Sequence, residues 1–510
     1  MEKKRKTVPA RKKGKRSLNA QFLWLLLFAA AVYFFIRFWN LPMFPRKWSF
    51  YLLAATGLGL FLTGLLSSAA RKSILVKGLD IGLAVCLAVG SIFLPYYSDR
   101  VTDLFNSVLG DQVRINLYAM APSYQESHRV YFERVRKDTK LADYADDRFL
   151  TIGSLDEENN RFAENRLIDE FGSVDITDGT SVYDAAAEFY QGRYEVLIVS
   201  EGYESIIKDY PGYEDFDEQT VLLATFTRTL TDHAGAKVDV PMTKKPFTVF
   251  LGGSDQEGEL SLVGRTDVDM TVTVNPTTHQ ILVISYPRDS YVANPALNGK
   301  YDKLTHLGLS GIENTLDGVG RMLEMDIDNY FLINFTSFIR IIDALGGVDV
   351  DNPYAFTYTW DTNFYYPEGN IHLDGQAALF YVRERYNLPD GDFGRNMHQQ
   401  IVLRAIIDKA TSPIVVARFN SLLDSLDGAF LTNISTDSIY ALCRRQLDEN
   451  IRWEVITRSL EGEIGFGECA SVPGTELSIV RPDSEQIQEA IAMIAALKKG
   501  EILEKEADED

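Results

Sequence analysis

Long and short apolar runs divide the chain into two parts. Three long apolar runs occupy its beginning, at residues 18–36, 50–70 and 79–97. Each is long enough to cross a bilayer core of roughly 30 Å as a helix, and Asp80 is the one charged residue within them. Beyond these runs the apolar segments are short and alternate with polar ones. The pattern predicts three transmembrane helices within residues 18–97, followed by a body of strands and helices.

The distribution of Lys and Arg predicts the orientation of the three helices. Nine Lys or Arg residues lie within residues 1–17, and Arg71, Lys72 and Lys77 lie between the second and third apolar runs. Basic segments next to membrane helices stay in the cytoplasm. We therefore expect residues 1–17 to form a cytoplasmic basic tail and the chain beyond about residue 98 to be extracytoplasmic. Contact with anionic lipid or nucleic acid is an alternative role for the tail, but setting the topology explains its charge more simply.

Residues 98–240 are predicted to form a small extracytoplasmic accessory α/β domain. β-Branched and aromatic residues predict strands at residues 114–120, 148–153, 194–200 and 221–228. Helical spacing of apolar residues predicts helices at residues 157–171 and 181–190, and Thr180 or Ser181 is placed to cap the second. No ligand-binding group of residues is evident here, so a scaffolding role is expected.

A polar connector at residues 233–246 leads into the main domain, residues 241–500. Strands are expected at residues 247–253, 268–275, 280–287, 330–334, 347–350 and 453–458. Helices are expected at residues 311–324, 335–345, 374–385, 394–410, 414–426, 436–445 and 483–497. This alternation predicts an α/β sandwich with a mixed central sheet and helices on both faces. Residues 501–510 are predicted to be an acidic disordered tail.

Charge is divided unequally along the chain. The net charge is −21, but residues 1–97 carry +13 and residues 98–510 carry −34. Nucleic acids are bound largely by Lys and Arg that neutralise phosphates, so an acidic body argues against nucleic-acid binding. Arginines in the body are therefore expected to serve a local site.

The three cysteines give few constraints. Cys86 lies within the third apolar run, whereas Cys443 and Cys469 fall in the extracytoplasmic part. The latter two could form a disulfide or remain free thiols. No Cys-x-x-Cys motif or Cys/His cluster predicts a zinc site.

Acidic and basic residues lie at the ends of the first strands of the main domain. Asp255 follows the first strand, and Arg265 and Asp267 precede the second. Such strand ends are where α/β proteins commonly hold phosphate and metal, and Mg²⁺ prefers carboxylate oxygens. Asp255 and Asp267 could therefore share a magnesium ion. The alternative is that Gly-Gly-Ser-Asp at residues 252–255 is an ordinary turn.

Further arginines recur along the main domain. The candidates are Arg288 after the third strand, Arg383 and Arg385 on either side of Glu384, and then Asp392, Arg395 and Gln399. Guanidinium groups suit two-point contacts with phosphate. An Arg-Glu-Arg run at a helix end is also typical of a solvated, ion-paired surface. Several separate groupings of Arg with Asp favour a pyrophosphate site, because pyrophosphate carries several anionic oxygens.

Five motifs occur together and in a fixed order in the main domain. They are GSDQEGELSLVGRTDVDMTVTVNP, ISYPRDSYV, KLTHLG, INFTSFIRIIDALGGVDVD and GQAALFYVRERYNLPDGDFGRNMHQQ. Together they resemble the LytR-CpsA-Psr family of bacterial cell-wall enzymes over about residues 247–410. A basic tail, three apolar runs and an accessory unit are similar to the capsule-associated members of that family.

The resemblance implies an Mg²⁺-dependent transferase. It would move a glycopolymer, such as capsular polysaccharide or teichoic acid, from an undecaprenyl-pyrophosphate carrier to peptidoglycan. The reaction would take place on the outer face of the cytoplasmic membrane. The expected partners are the polyprenyl-pyrophosphate-linked glycan, peptidoglycan and the membrane, without nucleic acid.

The resemblance also assigns roles to individual residues. Asp255 and Asp267 would hold the metal, with Arg265 beside them as part of the catalytic group. The pyrophosphate would be held by Arg288, Arg383, Arg385, Arg395 and Gln399. Either Asp267 or Asp392 would be the general base. His398 stands where relatives often have Arg, which leaves one phosphate contact in question and could make it sensitive to pH.

Two other functions and one other residue are open at this point. Water in place of the acceptor sugar would make the enzyme a lipid-pyrophosphate phosphatase. A membrane-bound transcriptional attenuator would need its body on the cytoplasmic side, contrary to the predicted topology. His306, in KLTHLG, could lie at the rim of the site or be a structural residue.

Overall fold

The computed structural model describes residues 20–39, 46–69, 73–106, 112–132, 135–229, 240–254, 260–389, 391–412, 422, 425 and 428–504, without the side chains of residues 20, 21, 94, 95, 97–106, 154 and 392. The chain divides into two compact units. One is Met1–Asp103 with Cys443–Glu449, and the other is Leu104–Leu442 with Asn450–Asp510.

The first unit contains three long apolar helices among its described residues. They are α1 (Ala20–Trp39), α2 (Arg46–Ala69) and α3 (Ile74–Asn106). Each includes a window long and apolar enough to cross a membrane. The buried carboxyl of Asp80 accepts a 2.6 Å hydrogen bond from the Ser67 hydroxyl, which provides a partner for a polar group in an apolar helix. The three predicted helices are confirmed, and their crossing and orientation remain predictions.

The second unit begins with a five-stranded mixed sheet in the order β3-β2-β4-β1-β5. Its elements are β1 (Gln112–Met120), α4 (Pro122–Ser127), β2 (Arg148–Thr151), α5 (Glu157–Phe171), β3 (Asp175–Asp178), α6 (Val182–Tyr190), β4 (Val196–Ser200), α7 (Glu201–Asp209), α8 (Phe216–Gln219) and β5 (Thr220–Thr229). The Ser181 hydroxyl accepts from the backbone N–H of Asp184, so Ser181 is the cap of α6. We call this part the accessory sheet. Its four expected strands are all present.

The main part of the unit is built on a six-stranded sheet in the order β16-β11-β6-β7-β8-β17. The strands and helices are β6 (Phe247–Ser254), β7 (Val268–Asn275), β8 (Gln280–Tyr286), β9 (Tyr291–Asn294), β10 (Lys300–Lys303), α9 (Leu304–Leu307), α10 (Ile312–Met322), β11 (Asn329–Asn334), α11 (Phe335–Leu345), β12 (Val348–Asn352), β13 (Phe356–Thr357), β14 (Tyr365–Tyr366), β15 (Gly369–Leu373), α12 (Gly375–Arg383), α13 (Asp392–Ala410), β16 (Leu431–Thr432), α14 (Thr436–Glu449), β17 (Glu454–Ser459), β18 (Gly462–Cys469), β19 (Val472–Pro482) and α15 (Ser484–Lys499). β6 pairs with β11 in parallel and with β7 in antiparallel fashion, so the sheet is mixed.

Helices cover both faces of this sheet because alternate residues of its strands are apolar on each side. On one face, Leu282 and Ile284 of β8 pack with Val319 of α10 and Ile494 of α15. On the other face, Val283 packs in a second cluster that includes residues of α13 and α14. The predicted α/β sandwich with a mixed central sheet is confirmed.

Several local predictions differ from the structure. The strand expected at 347–350 exists as β12, but it pairs with β15 rather than with the central sheet. The long hairpin β18–β19 was not expected, because its glycine-rich sequence has a weak strand signal. The helix expected at 414–426 lies largely outside the described residues. Cys443 and Cys469 are free thiols, so the disulfide alternative does not hold.

Candidate active site

The loop before β7 places Asp267 next to the end of β6. The backbone N–H of Asp267 donates to the carbonyl of Gly253 at 2.7 Å, which closes the loop onto the neighbouring strand. The loop approaches the turn after α9 closely, since a Cβ on Gly308 would lie 2.1 Å from the carbonyl oxygen of Gly264. This close approach requires glycine at position 308. Asp255, the other predicted metal ligand, lies outside the described residues.

Asp267 forms an ion pair with Arg288. The distance from Arg288 Nη1 to Asp267 Oδ1 is 2.5 Å, and both side chains are partly buried. Arg288 lies two residues after β8, which pairs directly with β7. Adjacent strands therefore bring together two residues that lie 21 positions apart in sequence.

Arg265 contacts the accessory sheet rather than Asp267. Its guanidinium group pairs with the carboxylate of Asp209, at the end of α7. A second contact also joins this loop to α7: the Ser261 hydroxyl donates to the carboxylate of Glu201, at the start of the helix, at a distance of 2.6 Å. The accessory sheet thus holds the loop that carries Arg265 and Asp267 by two carboxylates.

Asp269 is a third acidic residue of the site, and sequence reasoning missed it. Its side chain is fully buried, and it accepts a hydrogen bond from the Thr266 hydroxyl. Its other oxygen has no hydrogen-bond partner among the described residues. Burial raises the pKa of Asp269 to about 8, with a smaller contribution from Asp267 and opposing ones from Thr266 and two arginines. The available signal was spacing, since Asp269 lies two residues after Asp267, at the start of a strand, where side chains alternate between the two faces.

Arg383 and Arg385 lie at the end of α12. The helix ends at Arg383, two residues earlier than expected, and Glu384 caps it. The guanidinium carbon of Arg383 lies 4.5 Å from the ring centroid of Phe335, and that of Arg385 lies 4.8 Å from the centroid of Tyr386. Neither guanidinium group forms an ion pair or hydrogen bond with another described residue.

α13 supplies the remaining predicted residues. Arg395 is buried and interacts electrostatically with Asp269, which places this part of α13 beside the start of β7. The Gln399 amide donates to the carbonyl of Val382 at 3.4 Å, which connects α13 to the end of α12. Asp392 is the first residue of α13, and its side chain is outside the described part of the structure.

Gln400 is a second residue that the sequence reasoning left without a role. Its amide nitrogen donates to the Ser285 hydroxyl and to the Arg458 carbonyl, both at 2.7 Å, and to the Ser459 hydroxyl at 3.0 Å. These partners lie on β8 and β17, so Gln400 fixes α13 against the end of the central sheet. Its neighbour Gln399 is thereby held toward α12.

His398 does not replace a phosphate-binding arginine. Its ring is buried and stacks on Tyr381 with a centroid distance of 4.0 Å, and Nδ1 lies 3.1 Å from the Tyr381 carbonyl oxygen. Burial lowers its pKa to about 4, against smaller opposing effects of the Tyr381 carbonyl and Glu384. The predicted pH sensitivity of a phosphate contact at His398 is wrong, since the residue belongs to the core and stays neutral near pH 7.

His306 has a structural environment. It is buried, and Nδ1 lies 2.9 Å from both Asp302 Oδ1 and the Ser471 hydroxyl. Asp302 also accepts from the backbone N–H of Ser471. The side chains of Asp302, His306 and Cys469 lie close enough together to resemble a metal site. Burial, however, raises the pKa of the Cys469 thiol to about 12, which favours the thiol over the metal-binding thiolate. The network joins β10, α9 and the turn before β19, which favours the structural alternative for His306.

The comparison with known families covers this whole site. Residues 220–486, slightly more than half of the chain, match the sequence model of the LytR_cpsA_psr family. The chain belongs to the LytR-CpsA-Psr family. All predicted site residues of this family member lie within the matched range, whereas Asp209 and Glu201 lie outside it.

Curated relatives of this LytR-CpsA-Psr protein include two bacterial enzymes. The polyisoprenyl-teichoic acid–peptidoglycan teichoic acid transferase TagU of Bacillus mycoides (strain KBAB4) is 33% identical over 210 residues, 41% of this chain and 67% of the relative. TagU of Bacillus licheniformis is 32% identical over 220 residues, 43% of this chain and 69% of the relative. The chain thus spans about two thirds of the length of these relatives. Among solved structures, B. subtilis TagV matches with a TM-score of 0.42 and 26% identity, over 51% of this chain and all of TagV.

Proposed function

We propose that this protein transfers a glycopolymer from a polyprenyl-pyrophosphate lipid, such as undecaprenyl pyrophosphate, to peptidoglycan. Family membership and the names of the relatives support this activity. The observation that carries it is the placement of Arg383 and Arg385, whose charges are not matched by any described carboxylate. Exposed or partly exposed guanidinium groups of this kind suit the several anionic oxygens of a pyrophosphate.

We assign a separate role in the transfer reaction to each described residue of the site. Arg383 and Arg385 would bind the pyrophosphate, and Gln399 would support them from α13. Arg288, held by Asp267, would stabilise the charge that develops on the phosphate as its bond to the glycan-bearing group breaks. The acceptor hydroxyl loses its proton to Asp267 or Asp392. We propose that the acceptor oxygen bonds to the glycan-bearing phosphorus while the linkage from that phosphorus to the lipid phosphate breaks. Lipid phosphate leaves, and the second phosphate stays between the glycopolymer and the acceptor.

A magnesium ion fits the donor chemistry at Asp267. Mg²⁺ prefers oxygen ligands and commonly takes only one or two carboxylates together with substrate phosphate. Arg288 occupies Oδ1 of Asp267, and Oδ2 forms no hydrogen bond with another described residue. Asp267, with Asp255, would hold the ion, which when bound would neutralise charge on the leaving phosphate.

The test is a transfer assay with the full chain in detergent, a lipid-pyrophosphate-linked glycan and peptidoglycan. Asp267→Ala should lower the transfer rate by at least about 100-fold, the usual size for loss of a group that stabilises transition-state charge. Chelation of divalent cations should do the same, and Mg²⁺ should restore the rate. The matched control is Asp317→Ala, which breaks an exposed ion pair with Arg321 on α10 and should leave the rate unchanged.

Two results would contradict the proposal. Wild-type transfer by Asp267→Ala would show that this carboxylate is not part of the site. Release of free glycan alone, even with peptidoglycan present, would instead identify a phosphatase.

A further inference from the structure

A row of three side chains extends outward from the end of α12. The guanidinium group of Arg385 lies over the ring of Tyr386, and Tyr386 meets the indole of Trp360 edge to face, with ring centroids 6.1 Å apart. Trp360 is 74% exposed and Tyr386 61% exposed. We call these three side chains the aromatic row. Exposed apolar side chains that are in contact with one another are a candidate binding surface.

Buried Glu384 holds the aromatic row in place. Its carboxylate accepts from the backbone N–H groups of Arg385 and Tyr386 at 2.8 and 2.7 Å, and from the N–H and hydroxyl of Thr359 at 2.6 and 2.8 Å. Burial alone would raise the pKa of Glu384, but hydrogen bonds lower it below its usual range, above all the one from the backbone N–H of Asn387 and then those from Thr359 and Tyr386. An ionised carboxylate therefore joins the turn that carries Tyr386 to the loop that carries Trp360. The two backbone segments that carry the rings are therefore held together before a ligand binds, which lowers the cost of ordering them.

The charge around the row indicates what kind of ligand it fits. The hairpin segment, residues 356–366, contains Asp361 as its one charged residue and has no Lys or Arg. An anionic membrane surface would call for a cluster of basic residues around the aromatic ones, whereas Arg385 is the one cation over either ring of the row among the described residues, and the proposed function assigns it to the pyrophosphate. A neutral sugar fits better, because its C–H face can pack on an aromatic ring while its hydroxyls bond to polar side chains such as Asp361 and Asn363.

We propose that Tyr386 and Trp360 form a subsite for the first sugars of the lipid-linked glycan. The inference rests on the proposed function, in which Arg385 binds the pyrophosphate. Because the pyrophosphate is bonded directly to the first sugar, a sugar must lie next to whatever holds the phosphate. The aromatic row begins at Arg385, so its two rings are placed to meet a group bonded to the pyrophosphate. Their exposure to solvent favours the sugar end, because the polyprenyl end needs an apolar, buried slot.

The experiment compares two lipids bound to the full chain in detergent. One is polyprenyl pyrophosphate carrying the glycan, and the other is the same polyprenyl pyrophosphate without sugar. Trp360→Ala should weaken binding of the glycan-bearing lipid by about fivefold to tenfold, the range expected for loss of one stacking partner. Binding of the sugar-free lipid should be unchanged, and Trp360→Phe should restore most of the affinity.

Tyr365→Ala is the matched control. Tyr365 lies on the same hairpin and is also 61% exposed, but it makes no ring contact with Tyr386 or Trp360 among the described residues. This variant should bind both lipids as the wild type does. An equal loss of both lipids in Trp360→Ala would overturn the proposal in favour of contact with the lipid or membrane.

Other outcomes also separate the possibilities. Unchanged binding of both lipids with a raised KM for peptidoglycan would assign the row to the acceptor instead. Unchanged binding with unchanged kinetics would show that the row is not a sugar site. If the wild type binds neither lipid, the proposed function fails, whereas binding without a glycan-specific loss in Trp360→Ala rejects the subsite alone.

Discussion

Four of the five arginines of the site form two pairs that differ in what holds them, and the fifth, Arg395, is buried beside Asp269. Arg265 and Arg288, the carboxylate-held pair, each contact an aspartate. Arg383 and Arg385, the ring-held pair, each lie against an aromatic ring and form no ion pair with a described residue. The first pair lies in loops that flank β7 and β8, and the second lies at the end of α12.

Whether an arginine is held by a carboxylate or by a ring determines how readily it can bind a phosphate. An arginine already bonded to a carboxylate must exchange or share that partner before it binds phosphate. An arginine stacked through its flat face keeps its N–H groups at the edge, so it can bind phosphate without losing the ring. We therefore expect the ring-held pair to supply most of the affinity for pyrophosphate and the carboxylate-held pair to tune it.

The largest expected effect comes from removing one of the ring-held arginines. Arg383→Ala should lower kcat/KM for the lipid-linked glycan by about 100-fold or more. Arg383 forms no ion pair with a described carboxylate, so its guanidinium group can bind the pyrophosphate without first losing another partner. Arg383→Lys should recover part of the loss, since it keeps the charge but not the two-point geometry. Steady-state kinetics of the full chain measure both variants.

Arg404→Ala provides the control for this prediction. Arg404 is an exposed arginine on α13, so its removal changes the net charge equally without touching the site. A loss in Arg404→Ala as large as that in Arg383→Ala would mean that overall charge, and not the ring-held pair, attracts the lipid.

The two pairs were not equally predictable from sequence. All four arginines could be named from their motifs, and the strands that bring Asp267 to Arg288 were expected within a residue of their observed bounds. The ring contacts could not be foreseen, because they depend on where α12 ends. The carboxylate of Glu384 accepts hydrogen bonds from the three backbone N–H groups that follow it and from the N–H of Thr359. These side-chain hydrogen bonds compete with continuation of the helix, and the spacing of apolar residues does not reveal that competition.

Buried polar residues were the other limit of the sequence. His398 stands where relatives often have Arg, so one phosphate contact was in question and a pH-sensitive one was considered, but packing against Tyr381 removes the residue from the site. Asp269 was taken as part of an apolar strand, although it lies buried beside Asp267. Both errors have one cause, since sequence shows which residues can ionise but not how far each is separated from water.

A smaller effect is expected from the carboxylate of the accessory sheet. Asp209→Asn should lower the KM for the lipid-linked glycan, because Arg265 would no longer have to give up a carboxylate before it binds phosphate. The decrease should be at most about fivefold, since an exposed ion pair contributes about 1 kcal/mol at most. Asp209 is 59% exposed, so its loss should not disturb the fold. Kinetics at low and moderate ionic strength measure the change.

Asp217→Asn is the matched control, since Asp217 is an exposed acid of the accessory sheet that pairs with Lys208. It should leave KM unchanged. If Asp209→Asn instead raises KM, the ion pair positions Arg265 productively, and the carboxylate-held pair would contribute to binding as directly as the ring-held pair.

The smallest effect on transfer is expected at His398, which is buried against Tyr381 and forms no hydrogen bond, ion pair or ring contact with either pair among the described residues. Its folded pKa of about 4 is below the unfolded value of 6.5, so the unfolded chain binds its proton first and stability falls as the pH drops from about 6.5 toward 4. From pH 7 to pH 5 the free energy of unfolding should fall by about 2 kcal/mol, since a difference of one bound proton is worth about 1.4 kcal/mol per pH unit.

His398→Phe keeps a ring against Tyr381 and removes the titrating group. Thermal unfolding should therefore depend less on pH in this variant, while its transfer rate between pH 6.5 and 8 should follow that of the wild type. A change in the shape of the rate profile would return His398 to the phosphate site, whereas an unchanged profile leaves the ring-held pair as the source of phosphate affinity.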